Sequence, residues 1–371
     1  MYKNVFKLKS GIKTFFINLI TWAMVHLLGM WWPPHGSLGG AIHAGVFLLL
    51  AASTLYYFLQ ALLEGPGFIP LGWKPEREED TYNLQFCTVC NGFKAPRSHH
   101  CRKCGYCVKK MDHHCPWINC CVGHNNHGYF TLFLVSAVLG CLHASVVLSI
   151  CMYHAINRIW YMHNGTGHEP MIYLTLTTLL LTLLAIGMAI GVVLAVGVLL
   201  YLQVSILRNQ TTIEDWIVEK AVGRREEQGL PEFVFPYNVG WKNNIKLILY
   251  GSQYDGIKWP LKEGCKEYDL TREQQAQKQD KRVRSRLYTA VEQYSGRWVP
   301  LLSRPRAALG APCTDEPRLP LQPGDVIRAT RQRHWLFGEK LVAAGASRGP
   351  RGWFPRDAAA PSDHLHKAKP D

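Results

Sequence analysis

Four long stretches of this chain contain no lysine, arginine, aspartate or glutamate, and they restrict its architecture more than any other feature. Residues 14–32, 39–63, 129–156 and 171–207 each reach the roughly 20 apolar residues a helix needs to cross a bilayer core. Within lipid every backbone N–H and C=O must find an internal partner, so helices are expected for all four. Buried helices of a soluble protein are the competing reading. It fits poorly, because the chain is 48% hydrophobic yet its apolar residues are clumped rather than spread. A cleavable leader does not suit the first run, since no small-residue cleavage site precedes the next.

Basic residues in the short flanks orient the chain. The N-terminal stretch carries Lys3, Lys7, Lys9 and Lys13, and segment 64–128 carries Lys94, Arg97, Arg102, Lys103, Lys109 and Lys110. By contrast 33–38 has no charge, and 157–170 has only Arg158 and Glu169. Cytosolic loops hold the excess of Lys and Arg, so both termini and 64–128 are expected on the cytosolic side. A net charge of +14 then suits anionic headgroups or an anionic substrate. Nothing in the chain reads as a base-recognising module, so nucleic acid is not an expected partner. Cysteines in a reducing compartment bind metal or react rather than pair as disulfides. Asn164-Gly165-Thr166 is a glycosylation sequon on the opposite side.

The 64–128 segment repeats itself. Residues 87–121 hold eight Cys and four His, and a shift of fourteen residues overlays Cys87 on Cys101, Cys90 on Cys104, His99 on His113, His100 on His114 and Cys107 on Cys121. Each unit supplies C-x2-C, a His ten residues later and a Cys seven after that. Structural zinc takes four tetrahedral ligands, and Cys3His is a standard set. The expectation is one ion on Cys87, Cys90, His100 and Cys107 and a second on Cys101, Cys104, His114 and Cys121.

Subtraction isolates one thiol. By the same shift Cys115 would begin a third site, but position 118 is Ile and position 128 is Gly. Cys115, Cys120, His99 and His113 remain after eight ligands are spent. Cys120 reads as an inert buried thiol. Cys115 follows Asp112 and His113, so an imidazole can take its proton and a carboxylate can orient that imidazole. Cys115 is therefore expected to be a nucleophile, with His113 as base, Asp112 as its partner and zinc as scaffold. A catalytic zinc would need an open coordination position, and both sets are full. A thiolate beside apolar helices and basic residues suits a thioester that joins a fatty chain to an anionic carrier.

The run from Cys87 to Phe130, with CTVC, HHCRKCGYC, MDHHCPW, NC and GHNN, resembles the cysteine-rich domain of the DHHC family of protein S-acyltransferases. Thr211-Thr212-Ile213-Glu214 resembles that family's TTxE motif, and Glu64-Gly65-Pro66-Gly67 stands where the family often has DPG. The resemblance implies a two-step palmitoyl transfer from palmitoyl-CoA, through a thioester on Cys115, to cysteines of membrane-associated proteins. It implies that Thr212 holds Asp112, that Glu214 supports it, and that Asn244 is the structural Asn of a C-terminal motif in 233–251. It also implies that Lys94, Arg97 and His99 lie near the CoA phosphates and that Trp117 covers the thioester. Gly140 falls where related enzymes limit acyl-chain length. Gly187 and Gly191, spaced as GxxxG, read as helix packing, and the span histidines His26, His43, His143 and His154 as satisfied by neighbouring helices.

Residues 262–286 are polar with few apolar anchors, which marks a linker. Beyond them, 287–360 reads as short strands between Gly and Pro turns. Leu287-Tyr288, Pro323-Gly324-Asp325, Trp335 and Gly352-Trp353-Phe354-Pro355 resemble a Src-homology-3 barrel, a module of one branch of the DHHC family. Such a module implies a protein ligand or a contact within the chain. The last five residues, Lys367-Ala368-Lys369-Pro370-Asp371, fit the KxKxx pattern of endoplasmic reticulum retrieval signals.

The expected fold is thus a polytopic α-helical membrane protein with four transmembrane helices, a cytosolic zinc-binding domain and a C-terminal SH3-like barrel. The expected division is 1–63 for the N-terminal segment and first two helices, 64–128 for the zinc domain and 129–207 for the last two helices. The motif region follows at 208–261, the linker at 262–286, and the barrel and tail at 287–371. Two other functions compete: a zinc-stabilised membrane adaptor without chemistry, and a metal carrier. The second would need ionisable residues inside the membrane, and no span holds an acidic one.

Overall fold

A computed structural model describes residues 2–210, 213–250, 254–283, 285–297, 307, 310–312, 314, 316–331, 334–341 and 349–362. The side chains of 2–14, 282, 330 and 331 are not among the described features. Thr212 and the 367–371 tail lie outside the described residues. The chain divides into two compact units, 1–273 and 274–371.

The first unit is built on long helices: α1 (Tyr2–Trp31), α2 (Leu38–Glu64), α3 (His127–Ile156), a short α4 (Arg158–Asn164) and α5 (Leu176–Asn209). Among the described residues α2, α3 and α5 are long and apolar enough to cross a membrane, which makes this a multi-pass membrane protein. The apolar part of α1, Phe15–Trp31, is shorter than those three. It still packs among them: Met24 and Leu27 of α1 are buried with Phe47 of α2, Leu148 of α3 and Ala189 of α5. His43 Nδ1 and His143 Nε2, 3.0 Å apart, join α2 to α3. The apolar run from 171 does not become helical until Leu176. Thr175 and Thr178 exchange side-chain to backbone bonds there, a reciprocal cap that fixes where α5 begins.

Between α2 and α3 the chain forms three antiparallel hairpins: β1 (Phe86–Cys87) with β2 (Gly92–Phe93), β3 (His99–Cys101) with β4 (Tyr106–Val108), and β5 (His113–Cys115) with β6 (Cys120–Val122). Their registers advance in steps of fourteen: Cys87 faces Gly92, Cys101 faces Tyr106 and Cys115 faces Cys120. Each turn needs one left-handed residue, supplied by Asn91 (φ 49°), Gly105 (φ 79°) and Asn119 (φ 51°). Gly and Asn are the residues that adopt that conformation most readily. The unit is therefore tripled as a backbone form and doubled as a metal-ligand set.

After α5 come α6 (Asp215–Glu227), α7 (Trp241–Leu249) and α8 (Asp269–Val283). The segment 262–286 contains α8, a 15-residue helix. Its composition is polar because its anchor is electrostatic. Glu273, 2% exposed, accepts from Arg224 Nη2 at 2.7 Å and Arg225 Nε at 3.1 Å, beside the buried Leu270.

In the second unit β7 (Arg286–Ala290), β8 (Val326–Arg331), β9 (Trp335–Lys340), β10 (Arg351–Pro355) and β11 (Ala359–Pro361) form one antiparallel sheet in the order β10-β9-β8-β7-β11. Tyr288, Ile327, Trp335, Leu336 and Phe354 fill its core. The described residues of this unit show this one five-stranded sheet.

Candidate functional site

Adjacent hairpins are clipped together by the two ligand sets. In one set the Nδ1 atom of His100 lies 3.5 Å from Cys87 Sγ, 3.3 Å from Cys90 Sγ and 3.9 Å from Cys107 Sγ. In the other, His114 Nδ1 lies 3.5, 3.4 and 3.7 Å from the sulfurs of Cys101, Cys104 and Cys121. A ring nitrogen makes one good hydrogen bond, so three sulfurs converging on it do not form a hydrogen-bond network. Tetrahedral zinc with its usual Zn–N and Zn–S lengths would place N and S about 3.5 Å apart. Both donor sets fit a metal ion, and all four ligand atoms of each lie within 4.8 Å of one another.

The third hairpin carries His114 and Cys121 into the second cluster and presents Cys115 to neither. Ile118, fully buried, stands where a third site would need its second Cys. Gly128 stands where that site would need its His. A Cβ there would come within 2.7 Å of the Ile248 carbonyl oxygen, so the start of α3 can lie against α7 only without a side chain.

Cys115 is 1% exposed and sits beside His113. Burial alone would push its thiol up. The hydrogen bond from His113, backbone N–H groups of Ile118 and Trp117 and the His113 charge bring it below the ordinary thiol value. Burial likewise opposes a charged His113, but its bonds to Asp112 and Cys115 lift it to about 9. Asp112 Oδ2 lies 3.0 Å from His113 Nδ1. Against burial, the bonds from His113 and Gln203 hold that carboxyl at about 2. Asp112 is thus held as a carboxylate against His113, whose ring faces the lowered Cys115 thiol.

An apolar cavity of about 400 Å³ opens beside this group, walled by α1, α2, α3 and α5, within the roughly 300–1,000 Å³ usual for small-molecule sites. Trp117, 56% exposed, and Phe130 line it. The His113 ring meets Phe130 edge-on, with centroids 5.6 Å apart. Gly140 and Gly191 both line it. A Cβ on Gly191 or Gly187 would meet nothing within 4 Å, so the helix-packing reading of that pair is corrected: neither glycine lies against a neighbouring helix.

Arg97, which the resemblance puts near the CoA phosphates, is 3% exposed. Its Nε donates to Glu214 Oε2 at 3.1 Å and its Nη1 to Gln210 Oε1 at 3.3 Å. Tyr237 and Trp259 cover its guanidinium, with ring centroids at 4.7 and 4.9 Å. A buried cation needs a buried partner, and this one is committed to Glu214. Half-buried His99 also faces inward, its Nε2 3.8 Å from Glu214 Oε1. Lys94 is half-buried and remains in the loop that leads to them. Asn244 is fully buried: its Nδ2 donates to Arg208 O at 2.8 Å, and its backbone carbonyl accepts from Gln210 Nε2 at 2.8 Å. The end of α5 is thereby tied to α7. In the glycine-rich turn after α2, Gly67 has φ +77°, and a Cβ there would lie within 2.5 Å of Asn125 Oδ1.

Reading by spacing missed Gln203 and Gln210. Gln203 Nε2 donates to Asp112 Oδ2 at 2.7 Å. A buried amide inside an otherwise apolar span was the available signal, because such a group needs a partner.

The family model described as DHHC palmitoyltransferase matches residues 80–219. The chain is 45% identical over 358 residues to palmitoyltransferase ZDHHC6 of Mus musculus, covering 91% of this chain and 86% of that protein. It is 45% identical over 357 residues to palmitoyltransferase ZDHHC6 of Homo sapiens, again covering 91% and 86%. Probable protein S-acyltransferase 16 of Arabidopsis thaliana is 32% identical over 254 residues, covering 66% of this chain and 85% of that protein.

Proposed function

The chain belongs to the DHHC palmitoyltransferase family and is a protein S-acyltransferase; from that premise we infer that Cys115 carries the acyl group between donor and acceptor. The carrying observation is one thiol outside two full metal-ligand sets, bonded to an Asp112-oriented imidazole beside an apolar cavity.

The chemistry proceeds in two steps. His113 takes the Cys115 proton, and the thiolate attacks the carbonyl carbon of palmitoyl-CoA. The new C–S bond forms as the bond to CoA sulfur breaks, and the His113 imidazolium returns its proton to the departing thiolate. A cysteine of a membrane-associated protein then gives its proton to His113, attacks the acyl carbon and releases Cys115. Asp112 keeps the imidazole in one tautomer throughout. Cys87, Cys90, His100 and Cys107 would hold one zinc ion and Cys101, Cys104, His114 and Cys121 a second, and the ions would supply rigidity.

The acyl chain occupies the cavity, with Trp117 over the thioester and Lys94 toward the carrier phosphates. Arg97 is assigned a structural part, joining the cysteine-rich loop through Glu214 to the segment after α5, while Asn244 braces α7. Thr212, beside Glu214 in the chain, is assigned to Asp112. The apolar half of α1 is read as a fourth span, which puts both termini in the cytosol. The C-terminal sheet is read as an SH3-like barrel.

Incubation of the purified full-length protein with palmitoyl-CoA is expected to give a hydroxylamine-labile adduct on the peptide containing Cys115. An adduct confined to other cysteines, or none on folded and zinc-loaded protein, ends this reading of Cys115. Gly140→Leu tests the cavity. A Cβ at 140 meets only Leu50 Cβ, at 3.6 Å, so the larger side chain fits and fills acyl space. Transfer from palmitoyl-CoA relative to lauroyl-CoA is expected to fall about tenfold. An unchanged chain-length profile would place the acyl tail elsewhere.

A further inference from the structure

Four buried side chains outside the metal clusters form one line of hydrogen bonds that ends at Asp112. Lys110 Nζ lies 3.1 Å from His127 Nδ1, His127 Nε2 lies 2.8 Å from Gln203 Oε1, and Gln203 Nε2 lies 2.7 Å from Asp112 Oδ2. Lys110 is 2% exposed, His127 0%, Gln203 1% and Asp112 5%. They come from three elements: the loop before β5, the first turn of α3 and the last turns of α5.

The sense of each bond is fixed by the one beyond it. An ionised carboxylate only accepts, so Gln203 must turn its NH2 toward Asp112 and its carbonyl toward His127. The carbonyl only accepts, so His127 carries its proton on Nε2, which leaves Nδ1 as an acceptor. Lys110 fills that acceptor. Burial and Arg97 lower the Lys110 amine to about 7, yet it has N–H donors in either protonation state. A lysine away from water is costly, and a packing contact would not need one. Its cost is accounted for if the line holds a defined orientation at its far end.

We infer that Gln203 is a positioning residue for acyl transfer, oriented by His127 and Lys110 so that its amide holds the Asp112 carboxylate against His113. Gln203 touches neither acyl donor nor nucleophile; it acts through Asp112. The same oxygen, Asp112 Oδ2, receives both Gln203 Nε2 and His113 Nδ1. Loss of the amide frees the carboxylate to turn, and the imidazole beside Cys115 loses its fixed tautomer. The inference rests on the reading of Cys115 as acyl carrier.

Gln203→Met keeps the side-chain length and removes both polar atoms. In the full-length protein, kcat for acyl-enzyme formation is expected to fall about 10- to 100-fold, the range seen when groups that orient a working side chain are lost. KM for palmitoyl-CoA is expected to stay within about twofold, because no substrate contact is removed, and zinc should remain at two per chain. His127→Phe, which keeps an aromatic ring and deletes both nitrogens, is expected to move kcat in the same direction. The double variant should be no slower than Gln203→Met alone, since one line of bonds is being cut twice. An unchanged kcat in zinc-loaded Gln203→Met overturns the inference, as does strict additivity in the double variant. Loss of zinc from both single variants also overturns it, since these residues would then serve folding. Failure of the unaltered protein to form the Cys115 adduct would instead sink the proposed function.

Discussion

Cys115→Ser is expected to abolish both the acyl-enzyme and protein acylation, lowering turnover by roughly 10⁴-fold or more, the scale on which loss of a nucleophile acts. A serine hydroxyl beside the same imidazole is a far weaker nucleophile than a thiolate. The substitution exchanges one atom at a site that is 1% exposed and bonded to His113, so the fold has little reason to change. Two zinc ions per chain and wild-type protease resistance are therefore expected alongside the loss. Acylation by Cys115→Ser indistinguishable from the parent would place the nucleophile on another residue. The comparison is decisive because Cys115 lies in neither metal cluster, so a zinc assay separates chemical loss from structural loss.

Removal of metal is expected to have the next largest effect, and the two sites should differ. The hairpin of β5 and β6 carries His114 and Cys121 of the second cluster together with Cys115. The first cluster joins the two preceding hairpins and reaches the reactive thiol only through them. Cys121→Ser should therefore leave about one zinc per chain, release the hairpin that carries the nucleophile, and lower acylation about 10²-fold or more. Cys87→Ser should cost less activity for the same loss of one ion. Stripping both ions with a chelator should open the 87–121 loop to protease, because these strands are two or three residues long and bury little apolar surface without metal. Full activity in Cys121→Ser, or in metal-free protein, would refute the scaffold role of the second site.

Both expectations use what spacing along the chain made legible. A fourteen-residue shift located eight ligands and left Cys115 over, and the hairpin registers repeat that shift residue for residue. The match is close because each C-x2-C and its turn are local: a few residues decide them, and an Asn or Gly in the left-handed region closes each one. Long uncharged runs likewise announced α2, α3 and α5, since length and hydropathy are properties of the run itself.

Neither composition nor resemblance names partners that are distant in sequence. The resemblance put Arg97 near the CoA phosphates, but the groups that bury it, Gln210 and Glu214, lie 113 and 117 residues away. The 262–286 segment shows few apolar anchors along the chain, and the partners of its Glu273 are two arginines of α6, 49 and 48 residues earlier. Gly187 and Gly191 read as packing by their spacing, yet spacing does not say which face of α5 meets a helix and which meets a cavity.

By itself the sequence determined the membrane-spanning character of the chain, the two metal-ligand sets and the unspent thiol, because each follows from distances of a few residues along the backbone or from the composition of one run. Only the tertiary structure decided where Arg97 is neutralised, what walls the cavity and what holds Asp112. Those depend on how α5 docks against the cysteine-rich hairpins, bringing Gln203 to a carboxylate 91 residues earlier. A buried polar group must be paired, but the chain does not state with whom until the helices pack.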